Sequence, residues 1–165
     1  QPSPPFRQEP LVSTLEAYFQ GKKDLFGGLA MERWEKDWES YLVLHIDFSL
    51  TKYMELTDLT GQLNLFLHRW EKIYGKDEAE KTASERLQGI ILRASEQIGK
   101  QVVVLIDEYD APLLDSNSDT ALQQQLRNEM RKFFSPPQEV GAVSSLSLHH
   151  RHQQVQPTEH LQRTE

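Results

Sequence analysis

The apolar positions of this chain form two kinds of run, and their order predicts a layered α/β protein. Val102-Val103-Val104-Leu105-Ile106 is unbroken and mostly β-branched. A run of that length without polar alternation suits a strand buried on both faces, as in a parallel sheet covered by helices. Leu42-Val43-Leu44-His45-Ile46-Asp47-Phe48 predicts a second strand. Elsewhere apolar residues recur at helical spacing. Leu11, Leu15, Tyr18 and Phe19 mark a helix that Gly21 stops. Asp58 to Tyr74 is helical through Leu59, Leu63, Phe66, Leu67 and Trp70, with Gly75 following. Lys76 to Ile98 is helical through Ala83, Leu87, Ile90, Ile91, Ala94 and Ile98, with Gly99 as its cap. Asp119 to Phe134 is a last helix through Leu122, Leu126, Met130 and Phe133. Lys22 to Trp38 reads as a loop and a short helix anchored by Leu25, Phe26, Leu29 and Trp34, and Pro112 marks a loop.

Helix, strand, helices, strand, helix is the order of a parallel sheet with a right-handed crossover. Two strands are too few for a stable sheet covered on both faces, so the pattern predicts an incomplete one. Three segments follow from composition. Residues 1–10 are Pro-rich and aperiodic, 11–134 read as folded protein, and 135–165 are expected to be disordered. That last segment contains no lysine and four of the six histidines, with no useful period.

The 165 residues suffice for one domain with one core. A net charge of −7 gives no support to nucleic-acid binding by bulk charge. With no cysteine there is no disulfide framework and no thiolate metal site. No apolar run approaches the ~18 residues that suggest a transmembrane helix, and no signal-peptide pattern is present, so a cytoplasmic location is expected. The start at Gln1 rather than Met is compatible with a fragment or a processed product.

The chemistry gathers where the buried run ends. Asp107, Glu108 and Asp110 put three carboxylates within four positions. Ligand sites of open α/β sheets lie beyond the carboxyl ends of the strands, and acids placed there can hold a metal ion or activate water. The plain alternative for each is a solvated carboxylate where strand meets loop, and it is the stronger reading for Asp47 and Asp110. His45 and His68 read as structural, and His149, His150 and His152 have no further ligand at a convincing spacing.

Residues in three parts of the chain carry a resemblance. The first is Leu11-Val-Ser-Thr-Leu-Glu-Ala-Tyr-Phe-Gln-Gly-Lys-Lys-Asp-Leu-Phe-Gly-Gly-Leu, followed by Tyr41-Leu-Val-Leu-His-Ile-Asp-Phe. The second is Gly99-Lys-Gln-Val-Val-Val-Leu-Ile-Asp-Glu-Tyr-Asp-Ala-Pro-Leu-Leu-Asp115. The third is Leu126-Arg-Asn-Glu-Met-Arg-Lys-Phe-Phe134. Over Leu11 to Phe134 the chain resembles the AAA-ATPase-like family of bacterial P-loop ATP-binding proteins. The resemblance implies an α/β fold, here an incomplete P-loop NTPase (AAA-like) parallel sheet covered by helices, with ATP and Mg²⁺ as cofactors. The run ending in Asp107 and Glu108 becomes a Walker B strand. Asp107 would help hold the Mg²⁺ that bridges the β- and γ-phosphates, and Glu108 would orient or deprotonate the attacking water. Asp47 would support them from the neighbouring strand.

A P-loop ATPase also needs a Gly-rich loop whose backbone N–H groups cradle the phosphates, with a Lys for the β/γ oxygens and a Ser or Thr for Mg²⁺. The family carries an Arg-Pro-Arg-Arg-Phe-Gly-Lys-Ser-Leu type of sequence directly before the helix that starts near Leu11. Residues 1–10 instead read Gln-Pro-Ser-Pro-Pro-Phe-Arg-Gln-Glu-Pro, with no glycine and no lysine. Phe6 to Pro10 can be encoded TTT CGG CAA GAG CCT, and one base later this reads Phe-Gly-Lys-Ser-Leu. Pro2 to Pro5 can be encoded so that the shifted frame reads Arg-Pro-Arg-Arg. His149 to Glu165 likewise yields Ile-Thr-Gly-Ile-Ser-Lys-Phe-Ser-Gln-Leu-Ser-Ile-Phe-Ser-Glu-Leu, and Val143 to Leu148 yields Tyr-Leu-Arg-Phe-Leu-Phe. The expectation is a frameshift at both ends, with the family's frame kept from about Leu11 to about Ser135.

The sequence therefore predicts a partial ATPase domain without turnover, one expected to bind neither the ATP nor the Mg²⁺ of the parent family. Two other readings remain. One is an ATPase segment taking its P-loop from another chain. The other is an interaction module presenting Arg127, Arg131 and Lys132 opposite the apolar stripe of the last helix. A metal-dependent nuclease on Asp107 and Glu108 ranks lower, since no lysine follows at nuclease spacing.

Overall fold

The computed structural model describes residues 11–35, 37–116, 118–135 and 144–147. The expectations for residues 1–10 and for the histidines of the C-terminal segment lie outside them. The elements are α1 (Leu11–Phe19), α2 (Ala30–Trp34), β1 (Leu42–Asp47), α3 (Leu56–Tyr74), α4 (Ala83–Ile98), β2 (Val102–Asp107), α5 (Ala111–Asp115), α6 (Thr120–Phe134) and β3 (Ser144–Ser147). Short 3₁₀ turns occupy Lys23–Phe26 and Phe48–Leu50.

The sheet is parallel, in the order β1-β2-β3. Leu42 pairs with Val102, and the register runs through to Asp47 opposite Asp107. The expected parallel pairing and α/β class are thus present. β2 is central, and both of its faces are covered. Val102, Val104 and Ile106 enter the main core, while Val103 and Leu105 pack with Val12 on the other side. Successive strand residues point to opposite faces, so a strand covered on both must be apolar at every position. α1 supplies the second cluster, with Leu15 and Phe19 packed against it. α3, α4 and α6 close the main core through Leu63, Leu67, Ile90, Leu126 and Met130, all essentially inaccessible to solvent.

The helix boundaries have local causes. Asp58 accepts the backbone N–H groups of Met54 and Glu55 at 2.9 and 3.0 Å, opening α3 at Leu56 rather than at Asp58. α4 begins at Ala83, not at Lys76. Thr82 Oγ1 accepts the Glu85 N–H at 3.2 Å, and Glu85 Oε2 accepts the Thr82 N–H at 2.7 Å. This reciprocal pair satisfies donors that would otherwise be orphaned at the helix start. Gly99 adopts φ = 68° and ends α4. Asp119 caps α6 by accepting the Leu122 N–H at 2.9 Å.

Two other expectations are corrected, and the expected disorder of residues 135–165 falls largely outside the described residues. Pro112 lies in the first turn of a short helix, α5, where its missing N–H costs no intrahelical bond. Leu25, Leu29 and Trp34 are exposed, leaving Phe26 as the buried anchor of its segment. Residues 144–147 add a strand alongside β2, pairing Val103 with Ser144 through Ile106 with Ser147. The exposed backbone edge of β2 recruits this segment without any apolar period in it. Among the described residues no helix is long and apolar enough to cross a membrane.

Candidate functional site

Parallel pairing brings the two strand-terminal aspartates together. Asp47 and Asp107 are register partners at the exits of β1 and β2, on strands that run about 4.8 Å apart. Asp47 turns back on its own loop and accepts the Ser49 N–H at 2.8 Å, capping the 3₁₀ turn Phe48–Leu50. Asp107 Oδ1 accepts the N–H of Glu108 at 2.9 Å.

Glu108 has φ = 51°, and it is the only non-glycine residue with positive φ among the described residues. For an L-residue with a long side chain that conformation costs roughly 1–2 kcal/mol. It turns the chain where β2 ends at Asp107. Asp110 follows at the N-cap of α5, and its Oδ1 is shielded from solvent without a hydrogen-bond partner among the described residues.

The loop beyond the strand is stitched to the loop after β1. Asp115 Oδ1 receives Lys52 Nζ at 3.1 Å, and its Oδ2 receives the Tyr53 N–H at 3.2 Å. Tyr53 is fully buried and donates its hydroxyl to the Phe48 carbonyl at 2.9 Å. Burial, followed by the nearby charges of Asp115, Asp47 and Asp58, pushes its pKa far up, so it is a neutral donor throughout the physiological range. Ser116 donates to the Pro112 carbonyl at 2.9 Å, and Gln123 donates to the Leu113 carbonyl at 3.0 Å. Sequence reasoning gave no role to Lys52, Tyr53 or Asp115. Asp115 closes the Ala-Pro-Leu-Leu-Asp stretch, but nothing in the pattern identifies a partner 62 residues away.

Among the described residues no three His, Asp or Glu side chains converge to form a metal cage. Mg²⁺ commonly takes one or two carboxylates together with phosphate oxygens and water, and the pair at the strand exits suits that role. His45 lies within β1, two residues before Asp47, with Nδ1 3.9 Å from the Glu16 carboxylate. His68 lies on α3.

Carboxylates at the exit of a doubly covered parallel strand define an α/β protein with its candidate site at the carboxyl edge of the sheet. The chain belongs to a family described as predicted AAA-ATPases, whose model matches residues 6–146. A relative from Azotobacter chroococcum mcd 1, described as an uncharacterized protein in the vnfD 5' region, is 31% identical over 132 residues. That match covers 79% of this chain and 25% of the relative, so the chain spans about a quarter of that protein's length. No solved structure matches.

Proposed function

We propose that Asp107 and Glu108 form the Walker B half of an ATPase centre, and that this chain by itself does not turn ATP over. The observation that carries the first part is the strained backbone of Glu108 at the exit of the central buried strand. Strain of this kind persists where the surrounding structure over-determines it, and it concentrates at functional sites. Asp107 is the residue to hold Mg²⁺ jointly with phosphate oxygens. Glu108 is the residue to orient water or accept its proton. Mg²⁺, when bound, would neutralise charge on the phosphates. Asp115, Tyr53 and Lys52 tie down the segment that follows both acids.

The second part rests on residues 1–10, which contain no glycine, no lysine and four prolines. Proline removes backbone N–H donors, and a phosphate cradle consists chiefly of such donors. A one-base shift of frame at each end accounts for both departures from the family pattern, and the coding DNA across the two junctions tests it directly.

The biochemical test has two arms. Phosphate release and Mg·ATP-dependent thermal stabilisation are measured on the chain as it stands, where neither is expected. They are then measured after residues 2–10 are replaced by Arg-Pro-Arg-Arg-Phe-Gly-Lys-Ser-Leu. The replaced chain is expected to gain ATP-dependent stabilisation that Asp107→Ala removes. Turnover by the original chain that Glu108→Gln abolishes would overturn the inactivity. Nucleotide binding by the replaced chain that is indifferent to Asp107→Ala would overturn the role of that residue.

A further inference from the structure

The backbone of Glu108 is hydrogen-bonded on both sides. Its N–H donates to Asp107 Oδ1 at 2.9 Å, and its carbonyl accepts the Ala111 N–H at 2.9 Å. Both partners belong to the same turn and would move with it. The next residue, Tyr109, connects that turn to the helical layer. Its ring packs against the main core and lies 5.9 Å from the ring of Phe134, tilted by 51°.

We propose that Phe134, the last residue of α6, is a positioning residue for Glu108, holding its strained turn in place through the Tyr109 ring. The bearing of this on ATP chemistry rests on the role proposed above for Glu108. Phe134 is itself well anchored. Leu126 and Met130, on the preceding turns of α6, are fully buried. Phe133 is buried and meets Phe134 edge-on at 4.9 Å. Ser135 closes the helix by donating its hydroxyl to the Arg131 carbonyl at 2.6 Å.

Phe134 also meets Phe48 edge-on at 6.3 Å. Phe48 follows Asp47, is fully buried, and packs in turn on the Tyr53 ring at 6.3 Å. One ring therefore touches a residue just beyond each strand, Phe48 after β1 and Tyr109 after β2. Both contacts fall within the ~4.5–7 Å spacing of favourable aromatic pairs. α6 thus sets how the two strand exits sit relative to each other, through a side chain remote in sequence from both.

A disfavoured backbone conformation persists where the surrounding structure over-determines it. With β2 fixed in the sheet, relaxing Glu108 to negative φ re-aims the chain after it. Tyr109 could then keep its ring on Phe134 only if α5 moved as well, and α5 is held to the β1 loop through Asp115. The aromatic contact and the Asp115 hydrogen bonds therefore restrain the turn from two separate anchors. Shortening Phe134 releases the first anchor while leaving every hydrogen bond of the turn available.

The test uses the full chain, isotope-labelled, and reads Glu108 by NMR. A φ of 51° brings the amide and α protons of one residue close together, so their nuclear Overhauser cross-peak is strong. Phe134→Ala should weaken the Glu108 cross-peak several-fold, with spectral dispersion reporting that the fold persists. Phe134→Leu, the milder truncation, should weaken it less, and Phe134→Tyr should preserve it. Met130→Ala, one turn earlier in the same core, should lower the urea midpoint yet leave the cross-peak strong. In urea denaturation, the midpoint gain of Glu108→Gly over Glu108→Ala should shrink by half or more in the Phe134→Ala background, as expected for coupled sites. A Glu108 cross-peak unchanged in Phe134→Ala and Phe134→Leu, an equal loss in Met130→Ala, or a midpoint gain that Phe134→Ala leaves intact overturns the proposal. No nucleotide enters either measurement, so its failure is separable from failure of the ATPase reading.

Discussion

Removing the charge of Glu71 should destabilise the fold more than any surface ion pair could. Its side chain is only 6% exposed and receives Arg86 Nε at 2.7 Å and Arg86 Nη2 at 3.0 Å, a two-pronged bond between α3 and α4. Arg86 Nη1 also donates to Asn64 Oδ1 at 2.6 Å. Breaking a fully buried pair costs ~3–5 kcal/mol because a charge is left uncompensated, whereas exposed pairs contribute ~0.2–1 kcal/mol. Arg86 retains 18% exposure, so its stranded charge can draw in some water. Glu71→Gln should therefore cost about 2–3 kcal/mol, intermediate between those limits. For a chain of this length that corresponds to a fall in Tm of about 5–10 °C. The hydrogen bonds from Arg86 hold the Glu71 carboxyl below its ordinary pKa, against the upward push of burial. Its contribution is consequently complete above the unfolded-state value of about 4.3. It is lost as pH falls through the lower native value, where the unfolded chain binds the extra proton. Urea denaturation of the parent and of Glu71→Gln from pH 7 down to pH 3 reads both effects. The two curves should converge toward the acid end. A cost below ~1 kcal/mol at pH 7, or a gap that stays constant with pH, would refute the reasoning. Replacing both partners, Glu71→Leu with Arg86→Met, should recover most of the loss, since apolar pairs often match buried ion pairs.

Three further outcomes follow from other parts of the fold. Glu108→Gly should raise stability by up to ~1 kcal/mol relative to Glu108→Ala, because glycine adopts positive φ without a Cβ penalty; equal midpoints in urea would show that no strain is stored there. Gly89 lies where a β-carbon would overlap the Glu80 carboxylate that Arg93 holds. Gly89→Ala should displace that carboxylate, so Glu80→Ala, destabilising in the parent, should cost nothing further in the Gly89→Ala background of a double-mutant cycle. Leu105→Ala, at a fully buried position facing α1, should cost ~2–4 kcal/mol in chemical denaturation.

The parts of this fold legible in the sequence are those where burial leaves a local mark. β2 is apolar at every position up to Asp107 because α1 covers one face and the α3, α4 and α6 layer covers the other. The end of the apolar run therefore coincided with the end of the strand. The same logic located β1 and, with it, the juxtaposition of Asp47 and Asp107. Periodicity could not place the start of α4, since residues 76–82 offend no helical pattern. The deciding signal was a Thr-x-x-Glu capping box at Thr82 and Glu85, which the sequence does contain. Leu25, Leu29 and Trp34 look like anchors by residue type, yet whether such a side chain is covered depends on elements distant in the chain. β3 left no mark at all: Ser144–Ser147 carries no apolar period, and what the fold shows of it is its backbone register beside β2.

The candidate site was legible only in its charges. Its acids are announced by the end of an apolar run, but the devices that hold them are not. Asp115 reaches across to Lys52 and Tyr53, and Tyr53 in turn bonds the Phe48 carbonyl beside Asp47. This closes a circuit between the two strand exits, with each strand-terminal aspartate flanked by a loop that the other strand's loop restrains. Such a circuit explains how Glu108 can be kept in a conformation that its own backbone disfavours. Strain of about 1–2 kcal/mol would otherwise relax by shifting the turn, and the stitching between Asp115 and Tyr53 opposes that shift. The same circuit would remain in place whatever residues precede α1, because none of its members belongs to residues 1–10. The hydrogen bonds that restrain the acids thus come entirely from the two loops beyond the strand exits.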